Sequence, residues 1–358
     1  YNSLKYIIVL REYVKRMAGE IMQEYELKVL EQYDIEVLST RKIRGAVLCD
    51  TDRGLMLLKE VNVSQGRIPA LAALHEYLNS QGMKHADRLV QTKEGSYLGA
   101  LEDGKQYILK QWYRGRECDV KRPMEILAAS RELAKLHLVM KHSLDYPVSA
   151  GISLADEYQR HNREMKKVRR FVRKETGKSE FEFAFLQNFE KMYEWADRAY
   201  AELKDSEYES LYRESVDECC MVHGEYNYHN ILMLSEENHY KRDPHRIAVT
   251  NFEKFKREIQ VEDLYYFLRK VMEKSGWKIR LGDNMINSYS AIKPITEREF
   301  EYLKIRMIYP EKFWKVTDAY YRSNKAWISS KRVEKLDTAI RQTEEKRRFL
   351  EEIFAFHL

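Results

Sequence analysis

The hydrophobic and polar positions change period along the chain. Residues 4–32 place apolar side chains at helical spacing among charged neighbours, which predicts an N-terminal helix. Up to residue 63 the apolar runs then become short and rich in leucine and β-branched residues, with glycine- and aspartate-containing turns between them. This part predicts an antiparallel meander of three strands, at 35–43, 46–50 and 55–63.

A helix and further strands continue this region. Pro69 favours the first turn of a helix and Gly82 favours its end, so we predict a helix over 69–82. Glycine-containing turns then separate three more strand-like runs, at 88–92, 97–101 and 106–112. This part of the chain is therefore expected to form a small sheet with one inserted helix.

From Pro123 onward the pattern is mainly helical. Apolar residues recur at helical spacing in six segments, at 123–141, 155–176, 179–204, 260–275, 296–308 and 333–355. Thr296 and Glu299 fit a capping box at the start of one of them. A patch at 219–253 interrupts the helices with short strands and polar loops. Loops held by a rigid scaffold commonly carry functional residues, so this patch is a candidate site.

Composition indicates a folded protein with either one large two-lobed unit or two domains. The chain has 358 residues, of which 44% are hydrophobic and 33% charged. Only 14 glycines and 6 prolines occur, which excludes collagen-like and low-complexity classes. The net charge of +5 is small for this length, so no nucleic-acid partner is expected.

Cysteine usage and hydropathy bear on location. The 4 cysteines show no CxxC or His-spaced metal pattern, which favours reduced thiols in an intracellular protein. The apolar run from Tyr6 to Leu10 is far shorter than the roughly 18–20 residues of a membrane span. Neither a transmembrane segment nor a signal peptide is therefore expected.

Lys59, in the third predicted strand, is the first candidate functional residue. A lysine between apolar strand residues can present its ammonium group to a phosphate. Glu76, on the helix predicted over 69–82, is the candidate ion-pair partner. For this motif alone, an ordinary lysine whose stem covers apolar surface is the favoured interpretation.

The loop at 223–230 carries a carboxylate and a carboxamide five residues apart, at Glu225 and Asn230. The acid can orient or deprotonate a hydroxyl group, and the amide oxygen can ligate a divalent cation. A loop whose polar side chains bond its own backbone is an equally favoured alternative.

Asn251 and Glu253 follow the next short strand. Side chains alternate along an extended segment, so these two point the same way. Together with Asn230 they offer three hard oxygen ligands of the kind that Mg²⁺ prefers. The alternative is an ordinary strand end. Asp263 opens a predicted helix, where an aspartate is more often a cap than a catalytic group.

Two further patterns favour structural interpretations. A basic run over 166–178 falls on a predicted helix; it can bind an anionic polymer or an acidic partner, and a solvated helix face is favoured. Phe185, Phe189 and Tyr193 are spaced four residues apart. Core packing is favoured for them over a pocket for an ammonium substrate.

The order of these features resembles a known superfamily. A strand lysine, a helix glutamate, an aromatic connector, an H-G-E-x4-N loop and an N-F-E segment follow one another. This arrangement resembles the kinase-like phosphotransferases, in the branch of the aminoglycoside and choline kinases. It is most similar to the CotS family of bacterial spore-coat proteins. The resemblance covers roughly residues 28–350 and is carried by the passages 111–117, 133–137, 223–232 and 263–270.

The resemblance implies an α+β, bilobal protein-kinase-like fold. A small antiparallel β-sheet N-lobe with one helix is followed by a large, mainly α-helical C-lobe. The implied division is a helical extension over 1–27, a nucleotide-binding-type lobe over 28–112 and a helical lobe over 113–358. The helical lobe would carry the catalytic-type loop 223–230 and the metal-type segment 249–253.

The resemblance also implies a nucleotide site for ATP. Lys59 would hold nucleotide phosphates and pair with Glu76. Backbone groups of the connector at Gln111, Trp112 and Tyr113 would face the adenine.

The catalytic and metal positions follow from the same resemblance. Glu225 occupies the position of the catalytic base, where the family normally has Asp. Asn230 matches a metal-binding Asn, Asn251 stands where an Asp usually binds Mg²⁺, and Glu253 matches a second acid. Glu225 is one methylene longer than Asp, and displacing a carboxylate by about 1 Å can lower the rate on the order of 100-fold. Asn in place of Asp at position 251 removes a negative charge beside the metal. The segment 42–46 also has one glycine instead of a glycine-rich phosphate loop.

Two functional hypotheses result. The first is a CotS-like spore-coat protein, impaired in phosphotransfer, that acts as a binding or scaffolding module without a cofactor. It would reside in the mother-cell cytoplasm and then in the spore coat, with coat proteins as partners. The second is an ATP- and Mg²⁺-dependent phosphotransferase acting on the hydroxyl group of a small-molecule acceptor. The degenerate Glu225 and Asn251 positions favour the first and leave enzymatic activity open.

Overall fold

The computed structural model describes residues 24–64, 66–235, 246–322 and 330–357. Most of the helix predicted over 4–32, and of the extension predicted over 1–27, lies outside the described residues. The chain divides into two compact units. The first contains the described residues of Tyr1–Glu117, Leu144–Val148 and Leu232–Glu253, and the second contains those of Cys118–Ser143, Ser149–Ile231 and Lys254–Leu358.

The first unit is built around antiparallel strands. Its elements are α1 (Glu24–Leu30), β1 (Val37–Ile43), β2 (Ala46–Thr51), β3 (Gly54–Val61), α2 (Arg67–Ser80), β4 (Arg88–Val90), β5 (Gly99–Ala100), β6 (Gln106–Gln111), β7 (Gly115–Glu117), most of β9 (Ile231–Leu234) and β10 (Ile247–Val249). The larger sheet has the strand order β1-β2-β3-β6-β4, with β5 also paired to β6. A smaller sheet has the order β10-β9-β7.

The two faces of the larger sheet have different roles. One face packs against α1 and the residues after it; its buried members are Val47, Cys49, Met56, Leu58, Tyr107 and Leu109. On β3 and β6, Leu57 is opposite Lys110 and Lys59 is opposite Ile108. Residues opposite one another in an antiparallel pair project to the same side, so Lys59 and Lys110 share the other face.

The second unit is mainly helical. Its elements are α3 (Pro123–Val139), α4 (Leu154–Lys174), α5 (Glu180–Asp205), α6 (Tyr208–Asp217), β8 (Met221–Val222), β11 (Lys256–Arg257), α7 (Val261–Ser275), α8 (Ile279–Ser290), α9 (Glu297–Ile308), α10 (Glu311–Arg322), α11 (Ser330–Arg341) and α12 (Thr343–Phe354). Strands β8 and β11 pair antiparallel. Across the described ranges, no helix is both long enough and apolar enough to cross a bilayer.

Local sequence accounts for several of these helices. The predicted capping box of α9 is confirmed, since Thr296 Oγ1 accepts from the Glu299 backbone N–H and Glu299 accepts from the Thr296 backbone N–H. Phe185 and Phe189 of α5 are buried, as core packing requires. Both lie on the apolar face of α5, which is turned toward the core of the unit.

Other elements differ from the prediction. Helices α6, α8 and α10 and strands β7 and β11 were not predicted. The helix predicted over 333–355 is wrong as a single element, because α11 ends at Arg341 and α12 begins at Thr343. The Gln342 side chain between them donates to the Glu273 carbonyl, and no glycine or proline marks this break.

The compact units also divide the chain differently from the lobes expected from the resemblance. Strand β7 extends the first unit to Glu117, beyond the expected boundary at 112, because it pairs with β9. The segment 249–253, expected in the helical lobe, belongs to the first unit. Val249 forms a parallel bridge with Ala86, which draws the segment to the sheet strands.

Candidate functional site

Lys59 contacts two of the predicted metal-type residues in the first unit. Its Nζ atom lies 3.4 Å from Oδ1 of Asn251 and 3.4 Å from Oε2 of Glu253. The Lys59 side chain is 34% exposed, so its ammonium group also reaches solvent. The structure therefore brings together three residues that the sequence singled out.

Glu76 does not join them, and the predicted ion pair between Lys59 and Glu76 is wrong. Glu76 is exposed and accepts a long hydrogen bond, 3.5 Å, from the Tyr97 hydroxyl. The preceding residue of α2, His75, points inward instead, with Nε2 3.4 Å from Oδ1 of Asp87. A shift of one residue rotates a helical side chain by about 100°, which turns Glu76 to solvent.

A second lysine, which the sequence analysis missed, lies at the centre of this cluster. The Lys110 side chain is fully buried. Its Nζ atom lies 2.6 Å from Oε1 of Glu253, 2.7 Å from Oδ1 of Asn251 and 2.7 Å from Oδ2 of Asp87. The available signal was a lysine that ends the otherwise apolar run from Tyr107 in β6, where a buried charge needs a partner.

Asp87 also shapes the backbone at the predicted metal segment. Its Oδ2 accepts a hydrogen bond from the backbone N–H of Asn251 at 2.8 Å. Asn251 has φ +68°, in the left-handed region that asparagine tolerates better than most residues. The Asp87 backbone N–H in turn donates to the carbonyl of Val249, the last residue of β10. Asp87 therefore bonds both the end of β10 and the segment that follows it.

The electrostatics of this cluster are balanced. Burial raises the pKa of the Glu253 carboxyl, but the charges of Lys110 and Lys59 outweigh it and hold that pKa well below its usual range. Burial lowers the pKa of Lys110, and Asp87 and Glu253 outweigh it, so the pKa is raised. Burial lowers the pKa of His75 to about 4 despite the Asp87 carboxylate, so its ring is neutral near pH 7. Two ammonium groups therefore face two carboxylates.

Lysines engage two of the residues that the resemblance assigns to Mg²⁺, Asn251 and Glu253. Mg²⁺ requires oxygen ligands at about 2.0–2.1 Å in near-octahedral geometry. The side-chain oxygens of Asn251 and Glu253 already accept hydrogen bonds from Lys110 and Lys59. Without nucleotide phosphates, a dication among them would lie beside two ammonium groups.

The connector residues at Gln111–Tyr113 make their own contacts within the first unit. The Trp112 backbone N–H donates to the Leu55 carbonyl at 2.8 Å. The Tyr113 hydroxyl lies 2.7 Å from the carbonyl of Ala86 and 3.1 Å from that of Lys84. The Trp112 N–H is thus committed to the fold, and the adenine-facing role of the connector stays a prediction.

In the second unit, Asp263 anchors the predicted catalytic-type loop. The buried carboxylate accepts the backbone N–H of His223 at 2.6 Å and that of Gly224 at 2.9 Å. Nε2 of His137 lies 3.3 Å from it. Burial raises the pKa of Asp263, but the hydrogen bond from His137 and the contacts with His223 outweigh it and lower the pKa. Asp263 is therefore the loop's anchor, a role that the sequence pattern of a helix start concealed.

Glycine is required at position 224 of this loop. Gly224 has φ +84°, a conformation that residues with a side chain rarely adopt. A Cβ atom there would also collide with the backbone carbonyl of Lys254. The loop consequently passes directly against the Lys254 backbone.

Glu225 and Asn230 lie close together in the loop. Nδ2 of Asn230 donates to the Glu225 backbone carbonyl at 2.9 Å, and Nδ2 of Asn227 donates to the same carbonyl at 2.8 Å. The Glu225 carboxylate is bound by Lys254, with Nζ 2.5 Å from Oε1. The self-bonded loop that the sequence left open as an alternative is therefore formed, and the predicted base carries a lysine partner.

Comparison with known proteins identifies the family of this chain. The family described as "Spore coat putative kinase YutH" matches residues 26–353. The chain belongs to this family. Among the relatives of the YutH-family chain is Spore coat protein S of Bacillus subtilis (strain 168), 25% identical over 362 residues, which covers 96% of this chain and 95% of that protein.

Solved structures show the fold of the YutH-family chain. An aminoglycoside phosphotransferase from Alicyclobacillus acidocaldarius superposes with a TM-score of 0.79 at 15% identity, covering 92% of this chain and 95% of that one. A spectinomycin phosphotransferase in an AMP-bound complex gives 0.63 at 13% identity, covering 94% and 100%. The predicted resemblance and the kinase-like α+β fold are confirmed.

Proposed function

We propose that this YutH-family protein is a binding or scaffolding module of the spore coat that does not carry out magnesium-dependent phosphotransfer. The observation that carries this proposal is the buried Lys110 ammonium group, 2.6–2.7 Å from oxygens of Asp87, Asn251 and Glu253. A cation belonging to the chain engages the ligands that a metal-dependent transferase needs. Family membership supports a path from the mother-cell cytoplasm to the coat, with coat proteins as partners.

The second unit supports the same proposal. A general base must accept a proton from the substrate hydroxyl within hydrogen-bond reach. The Glu225 carboxylate is instead bound by the Lys254 ammonium group, which competes with a hydroxyl for the same oxygen. Both side chains of this pair are partly exposed, so the pair adds little to the free energy of unfolding. Its effect on function is that Lys254 occupies an oxygen of the Glu225 carboxylate.

Nucleotide binding remains compatible with this function. The Lys59 side chain is 34% exposed, so its ammonium group can bind a phosphate while its backbone stays in β3. The spectinomycin phosphotransferase of the same fold was solved with AMP. We therefore propose that ATP, where it binds, contacts Lys59 and the connector at 111–113 and that its binding does not depend on Mg²⁺.

One observation favours the alternative, a phosphotransferase that acts on a small-molecule hydroxyl. The loop is braced as a catalytic loop must be, because Asp263 holds two of its backbone N–H groups and Asn230 bonds the Glu225 carbonyl. That function would require Lys110 to leave Asn251 and Glu253, and Lys254 to leave Glu225.

Transfer of labelled phosphate separates the two functions. Purified protein and the Glu225→Gln variant would be incubated with γ-labelled ATP and Mg²⁺, with aminoglycosides, spectinomycin and choline as acceptors. The proposal expects equal, background-level transfer from both proteins. Mg²⁺-dependent transfer that Glu225→Gln abolishes would overturn it and establish the alternative.

The coat role is tested in sporulating cells. A fluorescent fusion of the Glu225→Gln variant is expected to reach the coat with the timing and intensity of the wild-type fusion, because assembly does not need the base. A folded Glu225→Gln protein that stays in the mother-cell cytoplasm would contradict a purely scaffolding function.

A further inference from the structure

Three metal-ligating side chains meet in the helical unit, away from the loop at 223–230. Glu157 and His161 are one turn apart on α4, and Glu311 begins α10. One donor atom from each lies within 4.8 Å of the others. Nδ1 of His161 is 4.0 Å from Oε1 of Glu157.

Two of these donors are buried and lack a hydrogen-bond partner among the described residues. They are Nδ1 of His161 and Oε2 of Glu311, whose residues are 1% and 4% exposed. Buried polar atoms in folded proteins nearly always have a partner, and an ion is one that satisfies several such atoms at once. The two helices therefore bring together a buried histidine and a buried carboxylate that each have an unsatisfied donor atom.

The surrounding groups position the imidazole. The Trp314 ring stacks on the His161 ring, with centroids 3.4 Å apart. Ligation by Nδ1 requires the ring proton on Nε2, which lies 3.5 Å from the Arg160 guanidinium; Arg160 is exposed and can turn to solvent.

Two nearby cations are paired with carboxylates, one of them Glu311 itself. Lys315 binds the other oxygen of Glu311, Oε1, at 2.8 Å. Arg306 makes a two-pronged contact with Glu262, at 2.6 and 2.8 Å. Among the described residues, Oε2 of Glu311 has no hydrogen-bond partner.

We propose that Glu157, His161 and Glu311 form a binding site for a first-row transition-metal dication, with Zn²⁺ as its representative. One imidazole with two carboxylates suits such an ion, whereas Mg²⁺ and Ca²⁺ prefer oxygen ligands alone. Ligands at about 2.0–2.2 Å place tetrahedral donors about 3.4 Å apart, so the carboxylates close in by roughly 1 Å. The bound ion links α4 to α10, and three protein ligands leave one position for water.

Metal analysis of the whole chain tests this site. Protein stripped with chelator, loaded with Zn²⁺ and desalted is expected to retain one zinc per chain, and His161→Gln and Glu311→Gln are each expected to lose it. His142→Gln, at an exposed histidine of the same unit, is the matched control and should retain it. Zinc absent from the wild type, or retained equally by both site variants, would overturn the proposal.

X-ray absorption at the zinc edge decides the matter if a site variant fails to fold. The wild-type spectrum is expected to show nitrogen and oxygen ligands at about 2.0–2.2 Å, including one imidazole. A shell with sulfur at about 2.3 Å would assign the zinc to cysteine and contradict the site. Neither measurement depends on the proposed coat function, which can fail or hold independently.

Discussion

The Nζ atom of Lys110 lies 2.6 Å from Oε1 of Glu253, and the lysine side chain is completely buried. Asn251 and Asp87 supply the other two oxygens around the same ammonium group, each at 2.7 Å. The residue that the family resemblance assigns to Mg²⁺ at position 251 thus serves as a hydrogen-bond acceptor for a lysine. The cluster is a buried ion-pair network within one unit.

Replacing Lys110 by Met should strongly destabilise the protein. The variant leaves the Asp87 and Glu253 carboxylates buried without Lys110, and breaking such a pair costs about 3–5 kcal/mol. Lys59→Met is the matched control; Lys59 is partly exposed and 3.4 Å from its partner, so about 1 kcal/mol or less is expected. Urea unfolding of both variants measures the difference, and equal losses would contradict a central role for Lys110.

Gly224→Ala should distort the loop that carries Glu225. The new Cβ meets the Lys254 carbonyl at a positive φ, so we expect a loss of at least about 2 kcal/mol in unfolding free energy. Gly177→Ala is the control, because a Cβ there meets no atom within 4 Å. That control should stay within about 0.5 kcal/mol of wild type. A Gly224→Ala protein as stable as the control would show that the loop is not held against Lys254.

Asp263→Asn should weaken the anchor of the same loop. Asparagine replaces one accepting oxygen by an NH₂ group that faces a backbone N–H, so about 2–3 kcal/mol should be lost. Asp217→Asn, at an exposed position, is the control and should change little. Amide hydrogen exchange at His223 and Gly224 should also accelerate in Asp263→Asn. Unchanged exchange there would contradict the anchoring role.

His75 should make folding sensitive to acid. Burial lowers its pKa to about 4 from 6.5, so as pH falls below 6.5 the unfolded chain takes up a proton that the folded chain excludes. The contribution to stability is present above that pH and is lost toward about 4. Between about pH 7 and about pH 5 the wild type should lose about 2 kcal/mol more than His75→Gln. Parallel pH profiles for the two proteins would refute this assignment.

The sequence was sufficient for the parts of the fold that depend on local pattern. Alternation and turns predicted β1 to β3, and the capping box located α9. It was insufficient for α8, whose buried Met285 and Ile286 follow a glycine and gain their order from packing with α3. It also concealed the break at Gln342, which depends on a contact with the distant Glu273 carbonyl.

The candidate site could be predicted for those residues that the order of motifs along the chain identifies. Lys59, Asn251 and Glu253 were named from the residue patterns as well as from the resemblance, and they do meet in the structure. Lys110 was missed because its partners come from positions far away in the chain, and the choice between His75 and Glu76 depends on how α2 is rotated. Both depend on tertiary packing, which a single sequence does not display.

The most direct test of the account is the effect of Mg²⁺ on thermal unfolding of the wild type and of Lys110→Met, at matched ionic strength. Mg²⁺ should leave the wild-type unfolding temperature unchanged, because the chain's own ammonium group engages Asp87, Asn251 and Glu253. It should raise that of Lys110→Met, in which those oxygens no longer contact the Lys110 ammonium group. A wild-type protein that Mg²⁺ stabilises as much as the variant would show that the metal binds despite Lys110 and would contradict the account.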